Sequence, residues 1–397
     1  MGRLRILHIV FRPSHLAVSL SVSSIIKGKH VFVISDEFEY KEYLQTYRDL
    51  LDNIYTFKVL SKPDFSLKIF FFELKKIAHI RKEISRLIGF INSFSPHYVV
   101  IYSDEHILSR IVLKHTESTI LLIEDGLILY RKYPLLKGMK RWLHENTRNT
   151  VWQLITLVST EFWWGYGRNK KIKILVRSFR SERGTLKIPN VIELEYPVFL
   201  AAASYLSKLM IKNSNDGVSE SKQCSERVIY FIGQPFYQHS IVDEKSYLDA
   251  LNGIAEKLKN IVDELVYIPH PTEKIVDKTV NNTGFTVVKP ARTAEQFILE
   301  RETKFPVVIG INSTVLYNVS FLGIPTASIS TWFNPNLVAE IEQRVLSKIC
   351  FPSNIDDLED WYCNALEREP KFKEKISLIS GNFVERIREI FGQYSAQ

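Results

Sequence analysis

Two adjacent carboxylates follow a short apolar run in the first third of the chain. Residues 118–123 read STILLI, a run typical of a buried strand, and Glu124-Asp125-Gly126 comes directly after them. Because glycine permits a sharp turn, one of the two carboxylates could lie over the end of the sheet. A carboxylate in that position could take a proton from a hydroxyl group. The same residues could instead form an ordinary Asp-Gly turn with a solvated glutamate.

A histidine lies between two prolines after another apolar run. The run is ELVYI at residues 264–268, and Pro269-His270-Pro271 follows it. Prolines stiffen a loop, so they would fix the direction in which the imidazole points. A fixed imidazole suits a catalytic acid or a ligand for phosphate. The alternative is a histidine that makes an ordinary hydrogen bond within its loop.

A third motif joins a predicted strand to a predicted helix. The strand is FPVVI at residues 305–309, and Asn312, Ser313 and Thr314 lie where the next helix should begin. Hydroxyl groups and free backbone N–H groups at a helix N-terminus form a site for a phosphate or a carboxylate. Helix capping uses the same geometry, so Asn312 or Ser313 could simply be the cap.

These motifs occur in a chain that alternates twice between predicted strands and helices. The first alternation has strands predicted at residues 3–11, 29–36, 97–104 and 118–124. The second begins with RVIYFI at residues 227–232, which ends at Gly233-Gln234-Pro235. This order predicts parallel sheets covered by helices. Ligands of such sheets bind beyond the carboxyl ends of the strands, which is where the motifs lie.

A polar, serine- and asparagine-rich stretch at residues 211–226 separates the two alternations and is typical of a linker. We therefore predict an α/β protein of the GT-B class. Its two facing Rossmann-like domains would comprise residues 1–210 and 227–397, and the last helix could cross back to the first domain. Neither half carries the glycine-rich sequence of a dinucleotide site or of a P-loop. The GT-B class is shared by transferases, epimerases and phosphorylases, so it does not fix the function.

The three motifs together resemble those of a known family. LLIEDGLILY, VYIPHPTEK and GINSTVLYN have the order and spacing of the D/E-D/E-G, H-P and S-S/T motifs of bacterial sialyltransferases. The similarity is strongest to the lipooligosaccharide sialyltransferases and the capsular polysialyltransferases. FIGQP at residues 231–235 also resembles the first strand and loop of their donor domain. Thr272 and Glu273 depart from the pattern, in which an arginine is expected after the H-P pair.

The resemblance implies an inverting, metal-independent transfer of sialic acid from CMP-sialic acid to a glycan acceptor. CMP-sialic acid would be a co-substrate, and no cofactor is implied. Glu124 would be the general base that deprotonates the acceptor hydroxyl, and Asp125 would orient Glu124 or the acceptor. His270 would donate a proton or a hydrogen bond to the departing CMP phosphate.

The resemblance also divides the work between the two domains. The N-terminal domain would bind the acceptor, and the C-terminal domain would bind the CMP-sugar. Ser313 and Thr314 would bind oxygens of the donor, and Gly233 would let the backbone approach the nucleotide. The remaining donor-binding positions implied by the motifs are Gln234, Pro271 and Asn312.

Positive charge is concentrated in the middle of the chain. The whole chain carries a net charge of +8, but residues 131–187 contain fourteen Lys or Arg and three Asp or Glu, a net of +11. Four of the six tryptophans lie in the same segment: Trp142, Trp152, Trp163 and Trp164. Basic residues mixed with tryptophan suit an anionic membrane surface. The alternative is a solvated basic face with core tryptophans, and nucleic acid is the least favoured partner.

The remaining features favour a cytoplasmic enzyme that is peripheral on the inner membrane. No apolar run is long enough to span a bilayer. The three cysteines are widely spaced and form no metal-ligand pattern, which fits a reducing compartment. Two rivals stay open: another CMP- or CDP-dependent transferase, of Kdo or glycerophosphate, and a non-catalytic membrane-associated scaffold.

Overall fold

The computed structural model describes most of the chain. The described residues are 3–35, 40–47, 54–57, 74–125, 135–163, 166–179, 188–214, 226–238, 240–271, 273, 280–301, 303–334, 346–367 and 372–395. Contacts between residues divide the chain into two compact units. Unit 1 comprises Met1–Val198 and Arg386–Gln397, and unit 2 comprises Phe199–Glu385.

Unit 1 is built on a seven-stranded parallel sheet with the strand order β3-β2-β1-β4-β5-β6-β7. The strands are β1 (Arg5–Val10), β2 (Lys29–Ser35), β3 (Ile54–Phe57), β4 (Tyr98–Ile101), β5 (Thr119–Ile123), β6 (Ile172–Arg177) and β7 (Asn190–Glu193). The described helices are α1 (Pro13–Ile25), α2 (Lys41–Thr46), α3 (Leu74–Phe94), α4 (Ile107–His115) and α5 (Leu135–Thr156). The central strands are apolar and buried along nearly their whole length, as expected when helices cover both faces of a parallel sheet.

Unit 2 is built on a five-stranded parallel sheet with the strand order β10-β9-β8-β11-β12. Its strands are β8 (Arg227–Ile232), β9 (Glu264–Ile268), β10 (Thr286–Val287), β11 (Phe305–Gly310) and β12 (Thr326–Ser328). The described helices are α6 (Val198–Ser214), α7 (Glu244–Leu258), α8 (Ala294–Glu300), α9 (Thr314–Phe321), α10 (Ile355–Leu366) and α11 (Phe372–Ser395). Strands β9, β8 and β11 are neighbours, so the three motifs of this half follow adjacent strands at one edge of the sheet.

The boundary between the units differs from the predicted linker. Unit 2 begins at Phe199, near the start of α6, whereas the linker was predicted at 211–226. The first turns of α6 are apolar and buried, so the chain joins the second unit before it reaches the polar stretch. Residues 211–214 are helical, and residues 215–225 lie outside the described residues. The last helix, α11, starts in unit 2, and its residues from Arg386 onward belong to unit 1.

The tryptophans of the basic segment do not share one environment. Trp142 is 38% exposed, but Trp163 is only 6% exposed and is part of the core, which corrects its expected position at a membrane surface. The physical reason is a pair of hydrogen bonds: the Asn146 side chain accepts from the Trp163 N–H and donates to its carbonyl, at 3.1 and 2.9 Å. Trp152 is half-buried, and Trp164 lies outside the described residues.

Candidate active site

The carboxylate of Glu124 is held at the end of β5 by the residue that follows β6. The Glu124 N–H donates to the Val176 carbonyl at 2.9 Å, so the pairing of the two strands extends to this residue. The Ser178 N–H donates to Oε2 at 2.6 Å, and the Ser178 hydroxyl donates to Oε1. Glu124 is 2% exposed. These hydrogen bonds fix the orientation of the carboxylate group at the end of the strand.

The neighbouring Asp125 is buried among partners that come from the start of the chain. Its Oδ1 accepts from the Arg12 guanidinium at 3.0 Å and from His15 Nε2 at 3.1 Å. Its backbone N–H donates to the Tyr166 hydroxyl at 2.9 Å. Burial by itself raises the pKa of Asp125, but the charge of Arg12 and the hydrogen bond from His15 outweigh it and hold that pKa below its ordinary value. Asp125 is therefore ionised at neutral pH.

His15 is fully buried and neutral under the same conditions. Its ring stacks on Tyr102 with centroids 4.2 Å apart and meets Phe11 edge-on at 4.4 Å. Burial lowers the pKa of His15 to about 4, although Asp125 opposes that shift. A neutral imidazole can donate to Asp125 only if Nε2 carries the proton, which fixes the tautomer.

A third buried carboxyl group, Asp104, follows the neighbouring strand β4. Its Oδ2 accepts from the Gly167 N–H at 3.0 Å. Burial raises the pKa of Asp104 to about 7, so this group titrates near neutral pH. The adjacent Tyr166 accepts from the Asp125 N–H and donates to the Tyr102 carbonyl at 2.9 Å. Residues 166–167 thus connect the ends of β4 and β5.

In unit 2, the His270 loop closes on itself. The Glu273 N–H donates to the His270 carbonyl at 2.8 Å, and the His270 N–H donates to Glu273 Oε2 at 2.9 Å. His270 is half-buried, whereas Pro271 is exposed. The loop is therefore stiffened by a glutamate as well as by its two prolines.

Gly233 and Gln234 follow the adjacent strand β8. The Gly233 N–H donates to the Ile268 carbonyl at 2.8 Å, which ties this loop to the end of β9. A Cβ atom on Gly233 would collide with the Glu273 carboxylate and would lie 2.5 Å from the Tyr267 hydroxyl. The glycine is thus required by its protein neighbours, a reason that differs from the expected approach of backbone to a nucleotide. Gln234 is half-buried.

Ser313 is the N-cap of α9. Its Oγ accepts from the Val315 N–H at 3.2 Å, so the capping geometry foreseen as an alternative is present. The hydroxyl proton of Ser313 is not used in that bond. Asn312 and Thr314 flank it and are half-buried. Among the described residues, no group of three or more His, Cys, Asp or Glu side chains is arranged to hold a metal ion.

Comparison with known proteins decides the family. The sequence model of the alpha-2,8-polysialyltransferase (POLYST) family matches residues 6–331. The chain belongs to this family. It is accordingly a glycosyltransferase of the sialyltransferase type, and the match spans every motif described above. No curated protein sequence matches the chain.

Solved structures similar to this polysialyltransferase-family chain confirm the fold. The UDP-GlcNAc 2-epimerase from Neisseria meningitidis has a TM-score of 0.57 at 16% identity, with 98% of this chain and 100% of that chain covered. The epimerase from Methanocaldococcus jannaschii has a TM-score of 0.55 at 13% identity, with 98% and 99% covered. The calicheamicin glycosyltransferase CalG4 has a TM-score of 0.52 at 10% identity, with 100% and 99% covered. The predicted GT-B class is confirmed.

Several residues of the candidate active site were not identified from the sequence. Arg12 follows β1 and Ser178 follows β6, so the strand-end rule that found the motifs and indicated His15 as a weaker candidate could have found them too. No sequence pattern indicated Tyr166, because this residue does not directly follow a strand. Glu273 was noted only as a departure from the family pattern.

Proposed function

We propose that this member of the family moves sialic acid from CMP-sialic acid to a hydroxyl of a bacterial surface glycan, such as a lipooligosaccharide, an O-antigen or a capsule. The observation that carries the proposal is the buried Glu124 carboxylate, fixed by both donors of Ser178 at the end of a central strand. A base in that position removes a proton from the acceptor hydroxyl. The ionised Asp125 beside it keeps Arg12 in place at the same edge of the sheet.

The proposed reaction is a single displacement. The acceptor oxygen forms a bond to the anomeric carbon while the bond from that carbon to the CMP phosphate breaks, so the configuration inverts. Glu124 takes the hydroxyl proton, and His270 donates a proton or a hydrogen bond to the leaving phosphate. Ser313, with a hydroxyl proton to donate at the start of α9, would bind an oxygen of that phosphate. No metal is needed in this scheme.

Nucleotide release from different donors tests the proposal. The chain is incubated with CMP-sialic acid, CMP-Kdo or CDP-glycerol and a glycan acceptor mixture, each with and without EDTA. We expect acceptor-dependent release of CMP from CMP-sialic acid alone, unchanged by EDTA. Preference for either other donor would assign a different transferase. Absence of both release and calorimetric binding of all three nucleotides would favour the non-catalytic scaffold.

We further infer that the enzyme attaches peripherally to the cytoplasmic face of an anionic inner membrane. No helix in the described part of the chain is long and apolar enough to cross a bilayer. Helix α5 and the turn after it expose large apolar side chains, namely Met139 (59%), Leu143 (61%), Leu154 (70%) and Leu157 (74%). Lys140 on the same helix is also exposed, and Arg148 is half-buried. Apolar groups flanked by cations suit the interface of an anionic bilayer.

A further inference from the structure

Glu273 accepts hydrogen bonds with both of its carboxylate oxygens. Oε1 accepts from the Tyr267 hydroxyl at 2.7 Å, and Oε2 accepts from the His270 N–H at 2.9 Å. The first donor belongs to the strand β9, and the second belongs to the loop that carries the proposed catalytic acid. The glutamate thus joins the His270 loop to the body of the sheet.

The direction of the hydrogen bonds can be followed further into the unit. The Tyr247 and Tyr267 hydroxyls are 2.8 Å apart. Because Tyr267 gives its single proton to Glu273, Tyr247 must donate to Tyr267. The series of donors therefore runs from Tyr247 on α7, through Tyr267, to Glu273.

These hydrogen-bonded side chains are anchored in the core of unit 2 and leave no unoccupied space around them. Tyr247 and Tyr267 are 1% and 0% exposed, and the Tyr267 ring stacks on Phe231 with centroids 5.7 Å apart. Gly233 lies so close that a Cβ atom there would collide with the Glu273 carboxylate. The loops after β8 and β9 are therefore set by one shared group of contacts.

We propose that Glu273 is a positioning residue that fixes the His270 backbone, and with it the imidazole, relative to the loop after β8. The inference rests on the proposed function, because it assigns Glu273 a role through His270. A carboxylate is required at this position since both neighbours point a proton at it. A glutamine would direct an N–H at one of these donors, and the tyrosine hydroxyls could accept it only by reversing the donor direction of both.

A double-mutant cycle tests the proposal. Glu273→Gln is measured alone and together with His270→Ala, and Glu256→Gln, an exposed glutamate on α7, is the matched control. We expect Glu273→Gln to lower kcat by about 10- to 100-fold, as a misplaced catalytic group does, with the donor KM changed less than about threefold. In the His270→Ala background it should lower kcat no further. Equal effects in both backgrounds, or an effect on KM alone, would overturn the proposal.

A second measurement does not depend on activity. Hydrogen–deuterium exchange at the His270 amide should be faster in Glu273→Gln than in the wild type and unchanged in the Glu256→Gln control. Equal exchange in all three proteins would overturn the positioning role. A wild type that transfers no sialic acid would refute the proposed function, while the exchange result would still decide whether Glu273 holds the loop.

Discussion

Each unit places a carboxylate after a strand of its parallel sheet, the buried Asp125 in unit 1 and the half-buried Glu273 in unit 2, but the two have opposite surroundings. Asp125 in unit 1 is paired with the charged Arg12 and the imidazole of His15, and its pKa is lowered. Glu273 in unit 2 accepts from two neutral donors, a phenol and a backbone amide, and burial raises its pKa. The strand end supplies the position in both units, whereas the charge state depends on the partners, which are distant in sequence for Asp125 and only three and six residues away for Glu273.

Glu124→Gln should cause the largest loss of activity, because it removes the proposed general base, which belongs to unit 1, and leaves unit 2 unchanged. The amide cannot accept a proton, so we expect transfer to fall by more than about 10⁴-fold, at or beyond the upper end for a general base. CMP binding in calorimetry should stay within a few-fold of wild type. Glu117→Gln is the control, since the Glu117 side chain is 96% exposed. A large loss of CMP affinity in Glu124→Gln would contradict the division of labour between the units.

His270→Ala should have the next largest effect and act on the donor side. Loss of the proton donor to the leaving phosphate should lower turnover by about 10²- to 10⁴-fold, without loss of the folded structure. The defect should shrink with a donor whose leaving group needs no protonation, such as an aryl sialoside with a strongly acidic phenol. Turnover within a few-fold of wild type would remove His270 from the mechanism.

The opposite pKa shifts predict opposite behaviour of stability with pH. The lowered pKa of Asp125 adds stability that is fully present above its unfolded value, about pH 4, and is lost as pH falls through the folded value. Asp125→Asn should therefore cost the same between pH 5 and pH 7.5. It leaves a buried donor of His15 without its charged acceptor, at a cost of about 1–3 kcal/mol, or several degrees of Tm. Since Arg12 is largely exposed, its ion pair adds little.

The raised pKa of Glu273 has the reverse consequence. It adds stability that is fully present below the unfolded value and is lost as pH rises through the folded value. The fall in Tm caused by Glu273→Gln should therefore be larger at pH 5 than at pH 7.5. Thermal unfolding of the two variants and the wild type at both pH values checks the pair. Parallel pH profiles for the two variants would show that the surroundings do not differ as described.

Part of the candidate site and of the fold could be predicted from the sequence. Glu124, His270 and Ser313 were found because each follows an apolar run that reads as a strand, TILLI, ELVYI or FPVVIG. Parallel strands place such residues at one edge of a sheet, so local pattern was sufficient. The same pattern predicted the two parallel sheets.

The partners of these residues depended on strand order and on packing, which local pattern does not contain. Arg12 and Asp125 are 113 positions apart, and they meet because only β4 lies between β1 and β5 in the sheet. Gly233 looked like a ligand-binding glycine, but the atoms that exclude a side chain belong to Tyr267 and Glu273. Trp163 looked like an interfacial residue, but Asn146 binds its backbone and buries it.

Loss of two exposed lysines of the basic segment should have the smallest effect on chemistry, because both lie at the far end of the unit 1 sheet. Lys170 and Lys173 are exposed at the amino end of β6, whereas Glu124 follows the carboxyl end of β5. Changing both lysines to Glu alters the charge by −4. It should weaken sedimentation with phosphatidylglycerol-containing vesicles at low salt, since screening acts over roughly 8 Å at 0.15 M.

Leu143→Ser with Leu154→Ser should instead remove the binding that persists at high salt. Both variants should act on a soluble acceptor as the wild type does. Equal sedimentation of all proteins at both salt concentrations would show that the changed residues are merely solvated. Lost activity on the soluble acceptor would assign them to acceptor binding.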